Sequence, residues 1–409
     1  CDRRQRQMCI RDRSSIEQLA YDGENLSRAG DVVVVSVNHR LNVLGYLDLS
    51  PFGEKYQDSA NAGNLDLIAA LEWIRDNIEG FGGDPENVTL FGQSGGGVKV
   101  WSLLQMPEAD GLFHKGIIES GVVDPDLLGD IEDGNGREIV KAMLAELGLE
   151  EKDVDQLETL PYDQLAQAYE NAAPKVAQKG EYVGNHPHKN QSYFGDAIKH
   201  GFREETKKIP LLIGTVLGEF DFGPAISGKY EFTRKEVEEK VRDVLGEEGI
   251  ELIDEFLKIY PDKAPMDLLS VDTIFREPTI RFIKERVKCP DSKIYSFQFT
   301  YEFPMFDGKI AWHCSEIPFV FHNIDKVPVC NCGEETNRLQ EQICQAWVSF
   351  ARTGKPEISG IEWPACADGD EAVMMLDKEC RIRHNPDHEL VNRLKKLQTA
   401  EHSVENVQH

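Results

Sequence analysis

Gly92-Gln93-Ser94-Gly95-Gly96 fits Gly-x-Ser-x-Gly, the pattern that sets a serine hydroxyl on a sharp turn between a strand and a helix. A serine on such a turn has strained backbone angles, and small residues two positions to either side keep the turn free of clashes. The helix that follows aims its positive end at the serine, where an oxyanion forms during acyl transfer. The backbone N–H of Gly95 then becomes one oxyanion donor. A phosphate cradle is the competing use of a glycine-rich turn. Against it, no Lys-Ser/Thr ending follows, and no Gly-x-Gly-x-x-Gly is in phase with the segment.

A serine hydroxyl is a weak nucleophile until a histidine takes its proton, and the histidine needs an acid to fix its tautomer. In a strand–turn–helix setting the chain order is serine, acid, histidine. His114, His186, His188 and His200 leave little room for an acid on an intervening strand, and the histidines from His384 to His409 lie in or beside a polar tail. His313 and His322 remain. His313 sits in a loop with Gly308 and Trp312, and His322 reads as a cap on Pro318-Phe319-Val320-Phe321. The strand-like run at 210–214 leads into Gly218-Glu219-Phe220-Asp221, so Glu219 and Asp221 both qualify as the acid.

The elements that must hold these residues alternate in type. The β-branched run at 31–38 lacks clean alternation, which predicts a strand buried on both faces. Leu67, Leu71, Ile74 and Ile78 recur at helical spacing, with Gly80 as a stop. A short strand at 87–91, a helix at 98–104 and a strand at 115–119 follow. Strand and helix in alternation mean an α/β sheet with crossovers. Charge-rich helical segments dominate 124–205 and 234–289, strands are expected at 210–214 and 292–299, and a last helix at 389–399. This reads as one α/β domain interrupted by two helical insertions.

Several segments together resemble the type-B carboxylesterases, the cholinesterase-like branch of the α/β-hydrolases. They are Tyr21-Asp22-Gly23, Val35-Ser36-Val37-Asn38-His39-Arg40-Leu41, Gly63-Asn64-Leu65-Asp66, Phe81-Gly82-Gly83-Asp84-Pro85-Glu86-Asn87-Val88-Thr89, Gly111-Leu112-Phe113, Ser120-Gly121, Phe350-Ala351-Arg352-Thr353-Gly354 and Trp363-Pro364. The resemblance runs from about 14 to 367. It implies an α/β-hydrolase fold with a mostly parallel central sheet, and a carboxylic ester hydrolase working through an acyl-enzyme on small-molecule esters, without cofactor or metal. It places the nucleophile on Ser94, the acid on Glu219 and the base on His313, with Ser120 and Glu316 as hydrogen-bonding supports behind them. The family also contains non-catalytic adhesion and partner-binding domains, which typically lose a triad member; here all three positions hold competent residues. Gln93 stands where cholinesterases carry a glutamate, which makes choline esters poor candidates. The family's His-Gly-Gly-Gly oxyanion segment is expected just before Ser14, where Arg6-Gln7-Met8-Cys9-Ile10-Arg11-Asp12-Arg13 stands instead. Residues 1–13 are therefore read as a non-native segment ahead of a catalytic domain at 14–409 that lacks its N-terminal part.

The bulk numbers bound the partners. With 45 Lys+Arg against 72 Asp+Glu in 409 residues, the formal net charge is −27, which repels phosphate backbones and anionic lipid. Nucleic acid is excluded as a partner on that ground, and no run of 18 apolar residues is present to span a bilayer. The nine cysteines include no Cys-x-x-Cys pair and read as free thiols in a reducing, cytoplasmic setting. Oligomeric state is not legible from the sequence.

Overall fold

The computed structural model describes residues 18–124, 131–184 and 186–405, with side chains described through 399. The expectations for residues 1–13, and for the segment just before Ser14, lie outside the described residues.

The strands are β1 (Thr89–Gln93), β2 (Lys115–Glu119), β3 (Leu211–Val216), β4 (Ile294–Phe299), β5 (Glu302–Phe303), β6 (Lys309–Ile310), β7 (Ala372–Leu376) and β8 (Arg381–His384). Six of them form one sheet in the order β1-β2-β3-β4-β7-β8, and β5 pairs with β6 in a small hairpin. All neighbours from β1 to β7 run parallel, and β8 closes the sheet antiparallel. The longer helices are α1 (Ala62–Asn77), α2 (Gly95–Leu103), α3 (Arg137–Glu146), α4 (Tyr162–Ala177), α5 (Arg234–Ile259, broken at Gly246), α6 (Arg276–Arg286), α7 (Glu334–Thr353) and α8 (His388–Glu405).

Crossover helices cover both faces of the sheet, so its strands are apolar on both sides. Leu212 and Val216 of β3 face a core shared with Leu339, Ile343, Trp347 and Phe350 of α7, which recur at helical spacing. Leu211 and Ile213 face the opposite core, built with Ile68, Leu71 and Ile74 of α1 and Val98 and Trp101 of α2. Val373 and Met375 of β7 pack against α5 and α8 in a third cluster. Between 131 and 205 the described residues form helices and turns, with α3 and α4 closing on Leu47 and Tyr56.

One expected strand is not formed. Asp31 is left-handed (φ 46°), residues 32–38 form no strand among the described residues, and Val33 and Val35 are exposed. A parallel strand is stable only when a neighbour satisfies its backbone groups. Conversely β7 and β8 formed where none was expected.

Candidate active site

Four strand ends converge on the site. Ser94 follows β1 directly, Ser120 follows β2, Glu219 stands three residues after β3, and His313 follows the β5–β6 hairpin that extends β4. Parallel strands all present their carboxyl ends on one side, which is where open α/β sheets place their chemistry.

Ser94 has φ 56° and ψ −122°, a strained conformation for a residue with a side chain. Its N–H donates to Glu119 O at 2.8 Å, and α2 begins at the next residue, Gly95. A Cβ on Gly92 would lie 2.4 Å from the backbone carbon of Gly96, so the turn closes only with glycine there. At Gly96 the expectation fails: a Cβ would meet nothing within 4 Å among the described residues. The small residue matters on the strand side of the turn. Ser94 is buried and makes no side-chain hydrogen bond among the described residues.

Glu219 and His313 lock each other twice. The backbone N–H of His313 donates to Glu219 O at 2.7 Å, and Nδ1 lies 2.5 Å from Glu219 Oε2. A carboxylate only accepts, so Nδ1 carries the proton and Nε2 is the basic nitrogen. The other carboxylate oxygen accepts from Ser120 Oγ at 2.6 Å and from the Val216 N–H at 2.9 Å. The two candidates that spacing left open at each position have different partners. Asp221 pairs with Lys309 at 2.8 Å, and His322 pairs with Glu341 at 2.8 Å away from the cluster.

Several neighbours of His313 were not foreseen. The Gln93 amide nitrogen lies 3.3 Å from His313 Nε2 and 3.4 Å from Nδ1. Its oxygen accepts from Cys314 Sγ at 3.1 Å. The rings of Phe275 and Phe220 stack on the imidazole, with centroids 5.2 and 5.3 Å away. Phe220 adjoins the acid and was within reach of the sequence reading. Phe275, on another element, gave no signal.

Near His313 and Glu219 lies a group of buried acids. Glu119 is pushed up to about 7 by burial, although Trp347 Nε1 donates to it at 2.6 Å. Neither carboxylate oxygen of Glu316 finds a partner from another residue among the described residues. Burial, then the charges of Glu119 and Glu219, hold Glu316 well above the usual carboxylate range. Asp272 caps α6 by accepting from the N–H groups of Ile274, Phe275 and Arg276, and burial with the nearby Glu219 charge raises it to about 8. No group of three or more His, Cys, Asp or Glu able to hold a metal occurs among the described residues.

A family model described as "Carboxylesterase family" matches residues 11–394. The chain is 32% identical over 384 residues to the para-nitrobenzyl esterase of Bacillus subtilis (strain 168), covering 90% of this chain and 74% of that enzyme. It is 28% identical to the mouse (Mus musculus) acylcarnitine hydrolase, spanning 65% of that protein and 87% of its own length. Among solved structures, an esterase of Clostridium hathewayi titled as able to hydrolyse aliphatic aromatic polyesters superposes with a TM-score of 0.90 at 49% identity, covering 94% of this chain and 76% of that one.

Proposed function

This chain belongs to the carboxylesterase family, has the α/β-hydrolase fold and is a carboxylic ester hydrolase, and we propose that it cleaves esters through a Ser94–His313–Glu219 triad and an acyl-enzyme. Ser94 Oγ attacks the ester carbonyl carbon while His313 Nε2 takes its proton. The Gly95 N–H and the N-terminal end of α2 face the oxyanion that forms. His313 then returns the proton to the leaving alcohol, and water, activated by the same nitrogen, releases the acid. Glu219 keeps Nδ1 protonated and stabilises the imidazolium, and Ser120 holds Glu219. Glu316, expected as a hydrogen-bonding support, is buried near them but its carboxylate makes no bond to another described residue.

The observation that carries this reading is the double lock between Glu219 and His313, formed at the strand ends that also bear the strained Ser94. A non-catalytic binding domain would have no use for that lock, and the reading as an adhesion module is not favoured. Small-molecule esters are the proposed substrates. The para-nitrobenzyl esterase relative makes arylmethyl esters a first choice for assay. A fluorophosphonate should label Ser94 stoichiometrically, and Ser94→Ala should abolish both labelling and ester turnover. Equal labelling of the alanine variant would refute the assignment.

A further inference from the structure

Asp221 stands two residues after Glu219, Lys309 stands four residues before His313, and the two side chains meet at 2.8 Å. Lys309 is 3% exposed, so its charge is held out of water. The contact is charge against charge rather than an aligned hydrogen bond. A buried ion pair adds little net stability, and what it can contribute is one fixed arrangement of the segments that carry it. The same two segments meet at four further places. The backbone N–H of Gly218 donates to Ala311 O at 3.0 Å, and that of His313 donates to Glu219 O at 2.7 Å. Ser227 Oγ donates to Asp307 at 3.1 Å, and the Lys229 ammonium lies 3.7 Å from Glu302.

The hairpin that leads to His313 requires such bracing. Phe306, Asp307 and Gly308, which turn β5 into β6, have φ of 52°, 59° and 104°. Three left-handed residues in a row, two of them with side chains, persist only where the surroundings hold them. The ladder beyond the turn is two pairs long, Glu302 opposite Ile310 and Phe303 opposite Lys309. A hairpin so short does not set the place of its own ends. We infer that Lys309 is a positioning residue for the reaction: through Asp221 it fixes the hairpin against the loop after β3, and so holds His313 Nδ1 on Glu219. This rests on the triad reading and adds to it a residue that touches neither substrate nor the reacting atoms.

The test follows the bond and the rate on the same variants. A proton held between nitrogen and carboxylate at 2.5 Å resonates far downfield in the proton NMR spectrum, and that signal reports the His313–Glu219 contact directly. Lys309→Met keeps an apolar stem and removes the charge. Its kcat on p-nitrophenyl acetate should fall about 10- to 100-fold, the range for a reacting group displaced by up to about 1 Å. KM should change little, and the downfield signal should shift or vanish. Asp221→Asn leaves Lys309 an oxygen to approach, and it serves if Lys309→Met does not fold. It should move the same signal and lower kcat by a smaller factor. Lys55→Met breaks an exposed pair with Glu158 and should match the wild type in signal and rate. A wild-type rate in the folded Lys309 or Asp221 variant, or a lowered rate with the downfield signal unmoved, overturns the positioning role and leaves the triad reading intact. A wild-type protein that cleaves no ester and takes no fluorophosphonate at Ser94 overturns the triad reading itself.

Discussion

At the scale of single residues, the two acids that sequence spacing could not separate are distinguished by their partners. Glu219 accepts from His313, Ser120 and Val216, whereas Asp221 is paired with Lys309. Glu219→Gln should lower kcat by about 10⁴, because an amide in that place favours the wrong tautomer. Asp221→Asn should change kcat by much less, and a larger effect from it would reverse the assignment. Glu316 offers a test of a different kind. Its folded-state pKa is raised, so the folded protein holds a proton that the unfolded chain releases above the ordinary carboxylate range. Wild-type stability is therefore penalised progressively as pH rises above about 4.5, the ordinary glutamate value, until the folded group itself ionises. Glu316→Gln is neutral at every pH and escapes that penalty. Its Tm relative to the wild type's should rise between pH 5 and pH 8. Parallel Tm curves for the two proteins would show that Glu316 is not held protonated.

At the scale of elements, the turn that carries Ser94 has two glycines with different jobs. Gly92→Ala would drive a methyl group to 2.4 Å from the Gly96 backbone, so the strand and α2 must part. The expected cost is about 1–3 kcal/mol with a large drop in the labelling rate of Ser94. Gly96→Ala meets open space among the described residues and should be neutral, or stabilising by up to about 1 kcal/mol through helix propensity. Thermal melts and labelling rates on both variants check this contrast. The same turn shows what local sequence can reveal. Ser94, its strand and its helix are one contiguous stretch, so composition and order sufficed to find them. Glu219 was narrowed to a pair by its place after a strand, and His313 to a pair by order; the family resemblance chose between them. Phe275 lies 38 residues before His313 and on a different element, so only the folded chain brings the two rings together. The run at 31–38 misled because β-branched composition reports a fit to a sheet, not the presence of a neighbour. β7 escaped notice because Ala372-Val373-Met374-Met375-Leu376 has little β-branching and no alternation. It is buried on both faces, which erases the period that would announce a strand.

At the scale of the whole molecule, the base is braced by residues from the far end of the chain. Phe275, stacked on His313, is the first residue before α6, and the next residue, Arg276, is fully enclosed. Its guanidinium donates to Glu371 at 2.8 and 3.0 Å and to Asp387 at 2.7 and 2.9 Å. Ser296 of β4 and His388 at the start of α8 complete the shell around Glu371. The start of α6 is thus tied to the central sheet, to the segment before β7 and to the last helix. Breaking such a buried network by removing one partner leaves uncompensated charge, which typically costs about 3–5 kcal/mol. Arg276→Met should lose stability of that order, with activity falling as Phe275 releases the imidazole. The pH dependence gives the sharper signature. Burial alone would raise Glu371, but the charge of Arg276 and the bonds from His388 and Arg276 outweigh it and hold the group at about 2. A depressed folded-state pKa means stabilisation that is complete above the unfolded value near 4.5 and is lost as pH falls towards 2. In Arg276→Met the cation is gone, burial dominates, and Glu371 gains by taking up a proton. The stability gap between wild type and variant should therefore be widest near neutral pH and narrow steadily on acidification below about pH 4.5. Denaturant melts across that range would show it. A gap that stays constant down to pH 3 would mean that Arg276 contributes packing alone, and that the charge network is not what fixes α6 against the base.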